Sequence, residues 1–494
     1  MTSSALDTPN LVLRAPYQNI GLIAGPALFA LMMLLGTQQN IMGTEAWRTA
    51  AVGLWMAIWW ATEAIPVPVT AFLPLVTFDF LGIANANEAA APYSNPIIYL
   101  FLGAFILALS IERWNLHKRI ALIILSHTGT EGRRLIFGFM LVAALLSMWM
   151  TNTSTTMMLM PIAISVAKVI VDNVDGLSAR QGRDFQIAML LGLAFAATIG
   201  GMATLVGTPP NALLAAFLSE NYGIEISFVR WMMVGLPLSI IMLPLAWVVL
   251  TRIAFNVEVP ESDTVRNYLV QRKQEMGPVS VPEKRVAIIF ALVITGWMLR
   301  RPISGWMSIE GLSDTGIAMA GALVLFLIPS GDRHQTHLMT WHDITGLPWG
   351  VLILFGGGLS LASAVAKSGL ALWLGESLLP ISSMGMIFMI IAATGLVIFL
   401  TELTSNLATT AIFLPVVAAI AIQSGIPPLI ICIPVTLAAS CAFMLPVSTP
   451  PNAIVYSSGM LTIPNMVKAG VLLNLAGICF LTILAIWLTP IVFG

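Results

Sequence analysis

Apolar residues dominate the chain from about residue 18 to residue 493, and polar interruptions, not periodicity, mark its organisation. Nearly every long segment in that range is apolar enough to cross a bilayer core, which takes ~20 helical residues. The pattern predicts helices over Asn19–Gly36, from Thr49 to the Pro66/Pro68 pair, over Val69–Ile83, and from Pro96 to Ser110. A charged amphipathic stretch holding Glu112, Arg113, His117, Lys118 and Arg119 follows, suited to the membrane interface. A segment from 135 to 170 is interrupted near its middle, and Phe185–Leu218 is broken at Gly207-Thr208-Pro209-Pro210-Asn211. Phe228–Leu250 is continuous. Residues 252–285 form a polar connection with six basic and five acidic residues. Beyond it the pattern returns: spans near Val286–Leu299, Ile317–Ile328 and Gly350–Leu370, an interrupted segment at 384–422, a broken helix at 428–460, and a last span over Val471–Leu488.

The interruptions carry the chemistry. Ser147 to Pro161 reads SMWMTNTSTTMMLMP, a run of hydroxyl and amide side chains between arms of roughly 24 Å each at 1.5 Å per residue. Such arms make a re-entrant hairpin or a pair of short tilted spans, and non-helical backbone at membrane depth survives only where protein or a wet cavity covers it. Thr401 to Pro415, TELTSNLATTAIFLP, places Asn406, Thr409, Thr410 and Pro415 at one constant offset of 254 from Asn152, Thr155, Thr156 and Pro161. Leu100, Phe101, Gly103, Ala108 and Leu116 match Leu354, Phe355, Gly357, Ala362 and Leu370 at that same offset, which points to an internal duplication. The second Pro-Pro-Asn, in Ser448-Thr449-Pro450-Pro451-Asn452, falls at an offset of 241. The layout is an N-terminal segment with the first helix (1–45), a first repeat (46–251), a cytoplasmic linker (252–285) and a second repeat (286–494).

Composition sharpens this. The chain of 494 residues is 58% hydrophobic and 9% charged, with mean hydropathy +0.92, whereas soluble domains run near a quarter charged. The expected fold is an all-α polytopic membrane protein with about 11 transmembrane helices. A formal net charge of −1 gives no field for nucleic acid. Cys432, Cys441 and Cys479 lie in apolar segments and are expected as buried free thiols. Arg133, Arg134 and Lys168 flank the first hairpin, while 370–385 and 423–428, around the second, hold no Lys or Arg. Basic short loops tend to be cytoplasmic, so the hairpins are expected to enter from opposite faces, as two inverted repeats, with the N-terminus inside.

Each half then supplies a tip (Ser147, Thr151, Asn152; Thr401, Ser405, Asn406) and a break (Gly207 to Asn211; Ser448 to Asn452). Amide and hydroxyl oxygens, with carbonyls freed by an unwound turn, are ligands for a small hard cation. Half-helix N-termini favour an anion. No Lys or Arg lies in the tips or breaks, so an anion there takes its counter-charge from co-bound cations.

These tips, the GTPPN break, and Ser440-x2-Phe443-x2-Pro446-Val-Ser-Thr-Pro450-Pro451-Asn452 resemble the divalent anion/sodium symporter family, over essentially the whole chain. The resemblance implies sodium-coupled symport of a di- or tricarboxylate such as succinate, malate or fumarate, in a bacterial inner membrane, by a homodimer whose transport domain moves as an elevator. It implies one sodium at Ser147, Thr151, Asn152 and the backbone of Gly207. A second falls at Thr401, Asn406 and the backbone of Ser405 and Ser448. The substrate carboxylates would meet Asn152, Thr153, Thr208, Asn406, Thr449 and Pro450. No cofactor beyond the coupling sodium is implied. The family triplet Ser-Asn-Thr reads Thr151-Asn152-Thr153 here and then Ser405-Asn406-Leu407, where an alkyl group replaces a hydroxyl. A sulfate carrier, a sodium-independent exchanger and, behind these, a channel are the alternatives. No HExxH, acid pair or nucleophile–base pair lies in the spans, so the chain does not read as an enzyme.

Three features have bland readings. Glu402 sits in an apolar run and serves either structural hydrogen bonding or a proton or cation role. His334, His337 and His342 fall in a polar loop and read as solvated. Gly356-Gly357-Gly358 lacks a strand before it and reads as close helix packing.

Overall fold

The computed structural model describes residues 14–36, 41–174, 177–307, 311–332, 335–377 and 385–494. The regular structure of the described residues is helical, with one isolated bridge, Pro329 to His337, as the sole β pairing among them. Nine helices among them are long and apolar enough to span a bilayer: Pro16–Leu35, Ala86–Arg113, Asn152–Asp172, Ala179–Met202, Phe228–Ala254, Val281–Trp306, Trp349–Lys367, Asn406–Gln423 and Ile463–Phe493. Four shorter apolar pieces, Val67–Thr77, Asp314–Leu327, Met386–Thr401 and Pro428–Ser440, lie among them. This is an integral, all-α membrane protein.

Burial grades across the bundle. The helix Ala179–Met202 is its axis, with 94% of its apolar window buried, against 11% for Pro16–Leu35 and 22% for Val281–Trp306. It packs on both arms of the first hairpin, on Phe228–Val248 and on Pro450–Tyr456. Small residues allow this closeness: a Cβ on Gly200 would lie 2.2 Å from the Ala144 carbonyl oxygen. In lipid such packing and interhelical hydrogen bonds, not removal of apolar surface from water, hold helices together. The 356–358 glycines serve the same end, since a Cβ on Gly357 would meet Ala71 at 2.5 Å.

Three expectations need correction or refinement. The span expected over Val69–Ile83 is two short helices, Val67–Thr70 and Leu73–Thr77, because Pro66, Pro68 and Pro74 remove the N–H groups a continuous helix needs. The connection at 252–285 contains the helix Asp263–Glu275, started by Ser262 Oγ accepting from Val265 N, and the next helix starts at Val281. Its charged faces hid it from an apolar pattern. Cys432 and Cys441 are buried, but Cys479 is exposed on its apolar helix. His337 and His342 are exposed, as a solvated loop requires, and His334 lies outside the described residues.

The charged stretch after Ser110 is a corner. Pro96–Arg113 ends at Asn115, whose φ of 55° turns the chain into Leu116–Thr128. Arg113 pairs with Asp343, and Arg119 reaches both oxygens of Glu283 at 3.1 Å and the carbonyls of Gly277 at 3.0 Å and Pro278 at 3.2 Å. A guanidinium holding a carboxylate with both arms is the strong form of such a pair. It docks Leu116–Thr128 on the start of Val281–Met307.

Candidate functional site

In each half the chain leaves the helix at the tip and resumes it within a few residues. The first hairpin runs Gly132–Ser147, then Asn152–Asn173. Thr151 is the N-cap of the second arm: its backbone is extended (ψ 144°) and its Oγ1 accepts from Ser154 N at 3.1 Å. The second hairpin runs Met386–Thr401, then Asn406–Gln423, with Ser405 at the N-cap making no side-chain cap bond. Both second arms carry the i to i−4 bond common to helical threonines: Thr156 Oγ1 donates to Asn152 O at 2.8 Å, and Thr410 Oγ1 to Asn406 O at 2.7 Å.

The broken helices run Ala179–Met202 then Pro209–Tyr222, and Pro428–Ser440 then Pro450–Tyr456. The asparagine of each Pro-Pro-Asn staples its own unwound turn. Asn211 Nδ2 donates to the carbonyls of Thr204 at 2.8 Å and Gly201 at 3.2 Å. Asn452 Nδ2 donates to Ser448 Oγ at 3.0 Å, Leu445 O at 3.1 Å and Ala442 O at 3.2 Å. Both side-chain oxygens, Asn211 Oδ1 and Asn452 Oδ1, are buried without a partner. Carbonyls freed by unwinding are thus laid out by a side chain rather than left to choose water.

Oxygens gather where tip meets break. Ser147 Oγ lies 2.5 Å from Asn152 Oδ1. A Cβ built on Gly201 would sit 2.4 Å from Asn152 Oδ1 and 3.1 Å from Gly207 O, and one on Gly207 would sit 2.5 Å from Gly201 O and 3.0 Å from Ser147 O. So Ser147, Asn152, Gly201 and Gly207 close around one gap that only a pair of glycines leaves open. In the second half, the inward end of the Asn406 amide lies 2.9 Å from Thr401 Oγ1 and 3.1 Å from the carbonyls of Ala439 and Ser448. With nitrogen inward, the orientation these acceptors favour, its two N–H groups are shared among the three; with oxygen inward, the Thr401 hydroxyl donates to it at 2.9 Å and the two carbonyls face it, a set of oxygens that suits a cation.

Other site candidates divide. The Thr151 hydroxyl is turned to its helix cap and to Ser154 Oγ at 3.0 Å. The Ser405 carbonyl accepts from Thr409 N at 2.9 Å inside the second arm. Thr208 and Thr449, both 2% exposed, are the N-caps of the half-helices. The Thr449 hydroxyl accepts from Asn452 N, whereas Thr208 makes no such bond. Thr153 is half-buried, Pro450 is exposed, and Leu407 is buried at 5%. The prolines at the first two helical positions remove two N–H groups from each half-helix N-terminus, so those ends offer fewer donors than their position alone suggests.

The halves interlock. Pro209–Tyr222 packs on Asn406–Gln423 of the other half, and Pro450–Tyr456 packs on Asn152–Asn173. The breaks themselves meet, with Phe195 and Phe443 ring centroids 5.1 Å apart and Cys441 Sγ 3.9 Å from Met202 Sδ. Sequence reasoning singled out the tips but assigned no role to Gly201, Thr204 or the asparagines 211 and 452 themselves. The repetition of Pro-Pro-Asn was the available signal.

A family model described as the sodium:sulfate symporter transmembrane region matches residues 18–493. The chain belongs to the sodium:sulfate symporter family. Within it, the chain is 39% identical over 480 residues to the sodium-dependent dicarboxylate transporter SdcS of Staphylococcus saprophyticus, covering 97% of this chain and 92% of that protein. It is 38% identical over 484 residues to SdcS of Staphylococcus aureus strain USA300, with the same coverage. Among solved structures, the YdaH transporter of Alcanivorax borkumensis has a TM-score of 0.53 at 13% identity, covering 96% of this chain and 98% of that one. MtrF of Neisseria gonorrhoeae has 0.55 at 11% identity, covering 92% and 97%. The last two speak to fold alone. Family membership makes the chain a transporter-type membrane protein, and its tips and breaks are the sites to read in that light.

Proposed function

We propose that the protein is a secondary transporter that carries a di- or tricarboxylate, of the size of succinate, malate or fumarate, together with sodium. One observation carries the reading: in each half an asparagine on a hairpin tip meets a hydroxyl of its own hairpin (Ser147, Thr401) and carbonyl oxygens of the neighbouring break, with no Lys or Arg along those segments. Oxygen sets of this kind suit a small hard cation. The dicarboxylate transporters named above, at 38–39% identity, add the substrate class. One sodium is assigned to Ser147, Asn152 and the Gly207 carbonyl, with Gly201 O beside them and Thr151 shaping the tip. The second is assigned to Thr401, Asn406 and the Ser448 carbonyl, with Ala439 O added and Ser405 setting the turn.

The anion then binds between the tips, at Asn152, Thr153, Thr208, Asn406, Thr449 and Pro450. Its charge is balanced by the two cations and by the N-terminal ends of the second arms, each worth roughly half a positive charge. Without sodium, two carboxylates would enter a site that holds no cationic side chain, which is the physical cause of coupling. Around the site we place two inverted repeats in a bacterial plasma membrane, N-terminus inside, as a homodimer with elevator movement of the hairpins and broken helices.

Uptake of labelled succinate, citrate and sulfate into proteoliposomes, with and without an inward sodium gradient, tests this. Saturable succinate uptake driven by sodium is expected. Uptake indifferent to sodium but driven by internal carboxylate indicates exchange, and a preference for sulfate replaces the substrate assignment.

A further inference from the structure

Glu402 is 2% exposed within an apolar hairpin, and the transport reading above gives it no task. Its carboxylate is fully engaged. Oε1 accepts from Phe443 N at 2.8 Å, Met444 N at 2.9 Å and Asn474 Nδ2 at 2.7 Å, while Oε2 accepts from Leu445 N at 2.9 Å. Phe443, Met444 and Leu445 are the consecutive residues where the second broken helix is unwound. Their N–H groups would have no partner at membrane depth. Asn474, on Ile463–Ile483, also accepts from Phe443 N through Oδ1 at 3.3 Å.

The other half solves the same problem differently. Glu402 occupies the register position of Met148. There, the Thr204 hydroxyl donates to the Met148 carbonyl and accepts from Gly207 N at 3.0 Å. A neutral hydroxyl straps the first tip to its break, and a carboxylate straps the second.

We propose that Glu402 is a positioning residue for the second half-site, and that it makes the two half-sites electrically unequal. It tethers the 443–445 backbone to the tip one residue from Thr401. The carbonyls of Ala442 and Leu445 are then held by Asn452 and Ser448, so the break is fixed from both sides. The Ser448 and Ala439 oxygens beside Asn406 depend on that layout. A cation at the second half-site meets a fixed negative charge that the first half-site lacks. The inference rests on the sodium-coupled reading.

The experiment compares wild type, Glu402→Gln, Glu402→Asp and Asn474→Ala as full-length protein. The readouts are sodium titrations of succinate uptake in proteoliposomes and the sodium-induced rise in Tm in detergent. Loss of a charge-assisted strap predicts that Glu402→Gln raises half-saturating sodium by about 10-fold or more in both readouts. Succinate KM at saturating sodium stays near the wild-type value. Glu402→Asp, which keeps the charge, recovers most of the shift. Asn474→Ala, which keeps the carboxylate and removes one donor, gives a smaller rise of the same sign and carries the test if Glu402→Gln is not monodisperse. Sodium curves that superimpose on wild type overturn the proposal. So does a folded Glu402→Gln protein whose sodium and succinate parameters worsen together, with Glu402→Asp no better. A wild type whose uptake and Tm ignore sodium removes the transport reading itself, a separate result.

Discussion

Two adjacent glycines give the sharpest test of the first half-site, because a methyl group at each strikes a different kind of atom. At Gly200 the added Cβ would lie 2.2 Å from the Ala144 carbonyl oxygen and 2.5 Å from its Cα. Backbone of a packed helix has nowhere to go, so Gly200→Ala must separate Ala179–Met202 from Gly132–Ser147; overpacking of that sort costs about 1–3 kcal/mol or more. At Gly201 the nearest atom is Asn152 Oδ1 at 2.4 Å, the free end of a side chain. Asn152 can retreat by ~1 Å to an ordinary contact, and losing one polar contact to a charged group costs about 1.5–3 kcal/mol, roughly 10-fold or more in cation affinity. Gly200→Ala is therefore expected to lose yield and monodispersity on size exclusion. Gly201→Ala is expected to purify as wild type but to need far more sodium for half-maximal succinate uptake. A monodisperse Gly201→Ala protein with the wild-type sodium curve would place Asn152 away from the cation. If instead Gly201→Ala aggregates while Gly200→Ala behaves normally, the packing argument itself fails.

Three further outcomes are expected. Leu407→Thr adds a hydroxyl at a buried position beside the second tip and should shift the preference among succinate, citrate and sulfate in competition uptake; an unchanged ranking removes position 407 from the anion pocket. Trp149, on the first tip, stacks parallel to Trp297 at 6.3 Å and to Phe228 at 6.0 Å, so Trp149→Ala should lower Tm in proportion to a loss of about 0.5–1.5 kcal/mol per aromatic pair. Burial lowers the His117 imidazole, which lies outside the candidate spans, from 6.5 to about 4, against the Ile111 carbonyl, which favours the charged form. Folded His117 therefore stays neutral where the unfolded chain takes up a proton. The stability it contributes is fully present above pH 6.5 and is lost as pH falls to about 4, by roughly 3 kcal/mol. His117→Gln should flatten the Tm-against-pH curve over that window, and an unchanged slope would show that this histidine does not set it.

The fold class was legible because hydropathy in a membrane chain is nearly a direct readout of spans, and both tips and both breaks are written in hydroxyls, amides and prolines. What stayed hidden follows a rule. Val67–Thr77 was misread because an apolar run containing Pro74 has the composition of a span but not its hydrogen bonds. Asp263–Glu275 was missed because its apolar stripe, Val265, Tyr268 and Leu269, is short and set among charged residues. Within the site, the backbone of Gly207, Ser405 and Ser448 was named through the family resemblance, whereas Ala439 O and Gly201 O were not: they belong to residues with no chemistry of their own, exposed by a turn that only coordinates display. Thr151 and Ser405 were selected by type, yet the structure uses them chiefly to start the second arms.

The way the halves interlock bears on why two cations and one anion would act together. Each half-helix that follows a Pro-Pro-Asn packs on the second arm of the opposite hairpin, not on that of its own half. The asparagines that staple each unwound turn, Asn211 and Asn452, sit at the start of those same half-helices. On the proposed reading, a cation that orders one tip and break therefore orders a half-helix wedged against the other tip. Disorder at either half-site propagates across the anion position, so ordering cost is shared rather than met twice. Such sharing yields positive cooperativity between sodium sites without any direct contact between the ions. It also makes an asymmetric device such as Glu402 consequential, since the half already held by a carboxylate would be the first to fill and would lower the ordering cost of the other.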